Sequence, residues 1–181
     1  MARATQEPAP DFSGLIDRHQ TEILRYLARL AGDTSVAEDL FQETFLRAFR
    51  HLHRLPPDAN RRAWLYRIAT NLFLNHRRAE RRRPEVDLGE HHPSRSPSPS
   101  DAFEFGSLVS ALRDAIARLP PKQRAAFVQR RLQGLSYAEV GDVLDCTESA
   151  ARASVYQAAR RLRRELAAPG VPSIQAERKN R

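Results

Sequence analysis

The stretch from Glu148 to Leu166 carries Arg152, Ala153, Tyr156, Gln157, Arg160 and Arg163, residue types whose chemistry is recognition rather than bond-making. An Arg fork matches the two acceptors of guanine, Gln offers the donor and acceptor that pair with adenine, and further arginines hold phosphate. At helical spacing Arg152, Tyr156, Gln157 and Arg160 share an outward face, while Ala151, Val155, Ala158 and Leu162 form an inward stripe. Small alanines near the helix start let it sit close to base edges. A second set is Tyr66, Arg67, Thr70, Arg77 and Arg78, with Asn71 at its boundary. Basic and aromatic groups interleaved on one face suit an unpaired strand, because Arg neutralises phosphate while a ring or amide engages the base. A third set, Asp39, Gln42, Glu43 and Arg47, makes a polar strip on a helix whose other side is aromatic. By residue type alone that strip is either a solvated face or a landing site for a partner.

No catalytic constellation accompanies these sets. His91 and His92 are adjacent, with no Cys or carboxylate at ligand spacing, so neither a metal nor a cofactor is expected. A nucleic-acid enzyme would need a nucleophile supported by a structured, usually strand-containing, domain, and the sequence offers neither. Cys146, the single cysteine, excludes an intramolecular disulfide and falls at a turn where a small semi-apolar side chain packs well.

The elements that must position these residues follow from periodicity. Leu15, Ile16, His19, Ile23, Tyr26, Leu27 and Leu30 recur at three- and four-residue spacing, giving one amphipathic helix. Gly32 and Asp33 break it, and Ser35 with Glu38 reads as a capping box opening a second helix that carries Leu40, Phe41, Phe45, Phe49 and Leu52. Pro56 and Pro57 end that helix, and Asp58 or Asn60 caps a third from about Arg61 to Arg82, with Trp64, Leu65, Ile68, Ala69 and Leu72 inward. Periodicity returns at Leu108, Leu112, Ile116 and Leu119, stops at Pro120 and restarts at Pro121. Ser136 and Glu139 form a capping box for a short helix through Leu144, and Thr147 caps a last helix to about Leu166. Short helix, three-residue turn and Arg-rich helix make a helix-turn-helix layout, a spacing that an ordinary αα-hairpin shares. No strand pattern occurs, so the expected class is all-α.

Pro84, Gly89, Pro93, Pro97, Pro99 and the intervening serines cannot support regular structure. The expected organisation is therefore a helical domain at 11–83, a flexible linker at 84–106, a second domain at 107–168 and a polar tail at 169–181. The 181 residues are 41% hydrophobic, enough for two small cores, and the formal charge of +8 comes almost entirely from Arg. A polyanionic partner follows from that charge. With no secretory segment and no long apolar run, the expectation is a cytoplasmic chain without direct membrane insertion.

Two motif sets then carry a family resemblance. The run Leu119-Pro120-Pro121-Lys122-Gln123-Arg124, followed by Gly134-Leu135-Ser136-Tyr137-Ala138-Glu139-Val140 and the last helix, resembles sigma region 4. Ala37-Glu38-Asp39-Leu40-Phe41-Gln42-Glu43-Thr44-Phe45-Leu46-Arg47-Ala48-Phe49-Arg50, with Ala63-Trp64-Leu65-Tyr66-Arg67-Ile68-Ala69-Thr70-Asn71-Leu72, resembles sigma region 2. Their order, with no intervening region 3, is similar to that of the extracytoplasmic-function sigma factors of the sigma-70 family. The resemblance implies an alternative sigma factor: a non-catalytic protein that binds core RNA polymerase and recognises promoter DNA.

By that resemblance Asp39, Gln42, Glu43 and Arg47 dock on the clamp helices of the β′ chain, with the β flap a further contact. Tyr66, Arg67, Thr70, Asn71, Arg77 and Arg78 meet the −10 element, and Arg152, Ala153, Tyr156, Gln157, Arg160 and Arg163 the −35 element. An anti-sigma partner is implied as well. The two elements lie roughly 60 Å apart, which a 23-residue linker reaching roughly 75 Å when extended can span. The chain departs from the family at Ser154, Gln157 and Ala159, where Arg or Lys is frequent, and at Asp145, where Gly is common. A conventional helix-turn-helix repressor is the rival reading, and it leaves the first domain unexplained.

Overall fold

Glycine and proline punctuate the chain where the helices end. The computed structural model describes residues 12–82 and 103–167, without the side chains of 103–108. The described elements are α1 (Phe12–Ala31), α2 (Thr34–His51), a short 3-10 turn (Leu52–Arg54), α3 (Arg61–Arg82), α4 (Phe103–Arg118), α5 (Pro121–Leu132), α6 (Tyr137–Leu144) and α7 (Glu148–Leu166). Among the described residues there is no strand, as expected for an all-α chain. Most of 84–106, including His91 and His92, lies outside the described residues, as does the 169–181 tail; α4 begins at Phe103, inside the range expected for the linker.

α1, α2 and α3 pack on one another around Ile23, Tyr26, Leu27, Leu30, Leu40, Phe45, Leu65 and Phe73. The turn between α1 and α2 differs from expectation. Gly32 takes φ +76°, Asp33 is extended, and the Asp33 carboxylate accepts from the Val36 amide at 2.9 Å. Asp33 is therefore the N-cap, and Ser35 lies exposed within the first turn. A carboxylate immediately after a left-handed glycine reaches the free amides first. Asn60 caps α3 through the Ala63 amide at 3.0 Å. Phe49, expected on the aromatic inner side of α2, is 62% exposed and meets Phe12 edge to face at 5.0 Å. Leu40, Phe45 and Leu52 of that series are buried, and Phe41 is half-buried.

α4 to α7 turn Ile116, Leu119, Val128, Leu135, Val140, Val143, Val155 and Leu162 inward, and these join the α1–α3 residues in one buried apolar cluster. Ser136 and Glu139 form the expected capping box, and Pro121 opens α5. The turn between α6 and α7 depends on two backbone facts. Asp145 adopts left-handed angles, φ 54° and ψ 58°, which Asp tolerates better than most residues. At Gly141 an added Cβ would stand 2.7 Å from the Cys146 carbonyl oxygen, so only glycine lets α6 close on the turn. The Cys146 side chain is exposed, not packed, because its main chain makes the contact.

Candidate nucleic-acid interface

The two helical units meet along α5, which packs on α1 and α3, and along α6, which packs on α3. At this junction Tyr26 Oη lies 2.8 Å from Thr70 Oγ1, and Thr70 donates to the Tyr66 carbonyl at 2.6 Å. The Gln129 amide, fully buried, donates to both Tyr26 Oη (2.7 Å) and Thr70 Oγ1 (3.0 Å). One turn further along α5, Gln133 receives Arg62 Nη2 at its carbonyl (2.9 Å), and its Oε1 lies 3.2 Å from the Tyr66 hydroxyl. Glu22 binds Arg62 Nε at 3.0 Å, and His19 Nδ1 sits 2.6 Å from it. Asn60 Nδ2 reaches Glu139 at 3.3 Å.

Arg124 completes the junction without any carboxylate among its bonds. Its guanidinium donates to the Leu30 carbonyl at 2.6 Å and to the carbonyls of Ala117 and Leu119, and it lies 5.7 Å from the centre of the Phe73 ring. These are the unsatisfied carbonyls at the ends of α1 and α4, whose dipoles favour a cation. Burial, with the like charge of Arg77 adding to it, pushes the Arg124 pKa down to about 10. Burial also raises the phenols of Tyr26 and Tyr66, the latter with help from the Glu22 charge.

The second residue set is therefore divided. Tyr66 and Thr70, expected on an outward face, are fully buried beneath α5. At 100° per residue they flank the Leu65–Ala69–Leu72 stripe rather than oppose it, and that flank is covered by Tyr26 of α1 and by α5. Arg67 and Asn71 are exposed, and Arg67 stands 3.9 Å from Asp145. Arg77 donates to Glu80 and Arg78 to Asn75. Arg62, Glu22, Gln129 and Gln133 carry no sequence signal, because their partners are distant in the chain, and Arg124 enters the sequence reading only as the end of the Leu119–Arg124 run, without a role.

On α7 the expected faces are as drawn. Ala151, Val155, Ala158 and Leu162 are buried, while Arg152, Ala153, Gln157, Arg160 and Arg163 are exposed and Tyr156 is 68% exposed. Thr147 caps the helix through the Ala150 amide at 3.2 Å. Arg152 is held before any ligand arrives: Glu148 accepts from Nη2 at 2.8 Å, and the guanidinium lies 4.5 Å from the Tyr137 ring centre. Arg130 approaches the same ring at 4.8 Å. Gln157 accepts from Gln123 at 2.8 Å. On α2, Asp39, Gln42 and Arg47 are exposed and Glu43 is half-buried, with Arg47 Nε donating to Glu43 at 2.6 Å. Leu46 and Phe49 are exposed on the same helix, so its open surface mixes apolar with polar groups. Among the described residues no cluster could hold a metal, and no helix is long and apolar enough to cross a membrane.

A sigma-70 region 2 pattern matches residues 15–83, and a sigma-70 region 4 pattern matches residues 110–162. The ECF RNA polymerase sigma factor SigL of Mycobacterium tuberculosis is 33% identical over 177 residues, covering 94% of this chain and 99% of that protein. The ECF RNA polymerase sigma factor SigE of Mycolicibacterium smegmatis is 36% identical, but the chain spans 65% of its length. A solved structure of the sigma factor RpoE in complex with the anti-sigma factor NepR from Bartonella quintana shares the fold. Its TM-score is 0.72 at 24% identity, over 87% of this chain and 98% of that one.

Proposed function

The chain belongs to the ECF sigma factors of RNA polymerase, and from that premise we propose that it is a non-catalytic, cytoplasmic initiation factor that directs core polymerase to a promoter of its own. α2 supplies the polymerase-binding surface through Asp39, Gln42, Glu43 and Arg47. Arg152, Tyr156 and Gln157 on α7 read the −35 duplex with Ala153 allowing close approach, and Arg160 and Arg163 hold phosphate. On α3 the exposed Arg67 and Asn71, with Arg77 and Arg78, engage the unpaired −10 strand, whereas Tyr66 and Thr70, buried against Gln133 and Gln129, position the helix. The observation that carries this reading is the exposed Arg, Tyr and Gln face of α7, set on a capped helix-turn-helix with Arg152 already positioned. An anti-sigma protein is the proposed regulator, supported by the like-folded sigma factor solved with one.

Run-off transcription tests the proposal. Core polymerase plus the chain should initiate on a subset of genomic templates that core alone ignores, and the chain alone should neither cut nor footprint them. A promoter footprint from the chain without polymerase would favour the repressor reading.

A further inference from the structure

One crevice of the molecule gathers more positive charge than its own side chains neutralise. It encloses about 430 Å³ where α1, α3 and the end of α5 meet, and Arg18, Arg25, Arg29 and Arg62 line it with Glu22 as the only carboxylate. Arg18, Arg25 and Arg29 stand seven and four residues apart, so they follow one row along α1, with Glu22 in the same row. Glu22 is already committed: Arg62 Nε donates to its two oxygens at 3.0 and 3.3 Å, and His19 Nδ1 lies 2.6 Å from it. Arg62 is committed as well, since its Nη2 donates to the Gln133 carbonyl at 2.9 Å. Arg18, Arg25 and Arg29 are exposed, and among the described residues no carboxylate pairs with any of them.

Like charges around one crevice repel one another and raise its potential, and a multivalent anion relieves both. A guanidinium fork grips phosphate oxygens in pairs. The row on α1 spans roughly 16 Å at about 1.5 Å per residue, a length served by several phosphates and not by one. On the α5 side the wall is apolar at Leu132, which is 43% exposed and gives a flat ring a surface to lie on. The volume is that of a small-molecule site. We propose that this crevice binds a free ligand of the nucleoside triphosphate class, its consecutive phosphates held by Arg18, Arg25 and Arg29 and its base set against Leu132. The site is separate from the duplex-reading face of α7 and from Arg67, Asn71, Arg77 and Arg78 on α3, none of which lines it. A DNA backbone carries consecutive phosphates too, so DNA forms a separate arm of the test.

Isothermal titration calorimetry of the full chain supplies the test, with ATP, sodium tripolyphosphate and sodium sulfate as probes at matched ionic strength. Arg25→Gln with Arg29→Gln removes two exposed forks that make no ion pair among the described residues, so the melting temperature without ligand should hold. Arg50→Gln with Arg113→Gln removes the same charge from exposed positions that do not line the crevice. Leu132→Glu places a carboxylate on the α5 wall. A fluorescein-labelled duplex and single strand, each of about 12 nucleotides and followed by anisotropy, make the DNA arm.

ATP should bind the parent at least about tenfold tighter than sulfate and tighter than tripolyphosphate. The crevice double variant and Leu132→Glu should each weaken ATP about tenfold, and the charge-matched pair less than about twofold. DNA binding should fall equally in the two double variants, as the loss of two charges at any place requires. Equal loss of ATP affinity in the two double variants would overturn the proposal, because the anion would then be answering net charge and not the crevice. Full ATP affinity in Leu132→Glu would overturn it too, since the ligand would lie on α1 alone. Tripolyphosphate as tight as ATP would remove the nucleoside from the assignment. A DNA loss confined to the crevice variant, with ATP no tighter than sulfate, would make these arginines a backbone contact and end the case for a free ligand.

Discussion

Replacing Gly141 by alanine sets two known effects against each other at one atom. In a helix interior the change ordinarily stabilises by about 1 kcal/mol, since glycine loses more backbone freedom on folding. Here the new Cβ would lie 2.7 Å from the Cys146 carbonyl oxygen and 3.4 Å from both Thr147 C and Glu148 N. All three neighbours are main chain, so no side chain can swing aside. Overpacking of this sort costs about 1–3 kcal/mol. Relief by moving the turn would also disturb the Thr147 cap, costing about 1 kcal/mol more. The expected net effect is a loss of about 1–3 kcal/mol in urea unfolding of the full chain, accompanied by weaker −35 duplex binding as α7 shifts. An alanine variant more stable than the parent by about 1 kcal/mol, with unchanged duplex binding, would show that the turn yields freely and that the close approach constrains nothing.

Arg152→Ala should cost about 1–3 kcal/mol of promoter binding and relax preference at one base pair, whereas Arg163→Ala should weaken all sequences alike and flatten the salt dependence. Holoenzyme binding to a library randomised across the −35 element, at two salt concentrations, separates the two roles. Replacing Asp39 and Gln42 together, both exposed on α2, should lower affinity for core polymerase while leaving the circular dichroism unchanged. Glu139 has its carboxyl held below the usual range, first by the Ser136 backbone amide and then by the Ser136 hydroxyl and Asn60. Because the folded value is depressed, the stabilisation is present above the unfolded value of about 4.5 and is lost as pH falls through the folded one. Thermal melts of Glu139→Gln and its parent should accordingly differ at pH 7, and the difference should shrink as pH falls below the unfolded value.

Elements whose signals are local were readable from sequence. The Ser136–Glu139 box, the Pro121 start, the Thr147 cap and the inward stripe of α7 each depend on residues within a turn or two of one another. The α2 cap was misread because two adjacent candidates obeyed the same chemistry, and only the left-handed Gly32 places Asp33 at the helix end. The exposure of Tyr66 and Thr70 was misjudged for a different reason. Periodicity reports that a face is apolar or polar, and a polar face covered by a polar partner gives no signal, since Gln129 lies 59 residues beyond Thr70. The candidate −35 residues needed only one helix to be located, while those on α3 needed the tertiary arrangement.

Arg124 has a consequence for how this protein can change over time. Its acceptor on α1 is the carbonyl of Leu30, and its other acceptors are the carbonyls of Ala117 and Leu119. Every amino acid supplies that oxygen, so substitution at those three positions leaves the acceptor in place as long as the helices end where they do. Gln129, in contrast, depends on the hydroxyls of Tyr26 and Thr70, which a single base change can remove. The junction thus joins one attachment that sequence drift on the partner helix leaves intact to another that drift can readily weaken. Relatives of this chain could therefore keep the same placement of α5 while the ease of releasing it is retuned through two side chains.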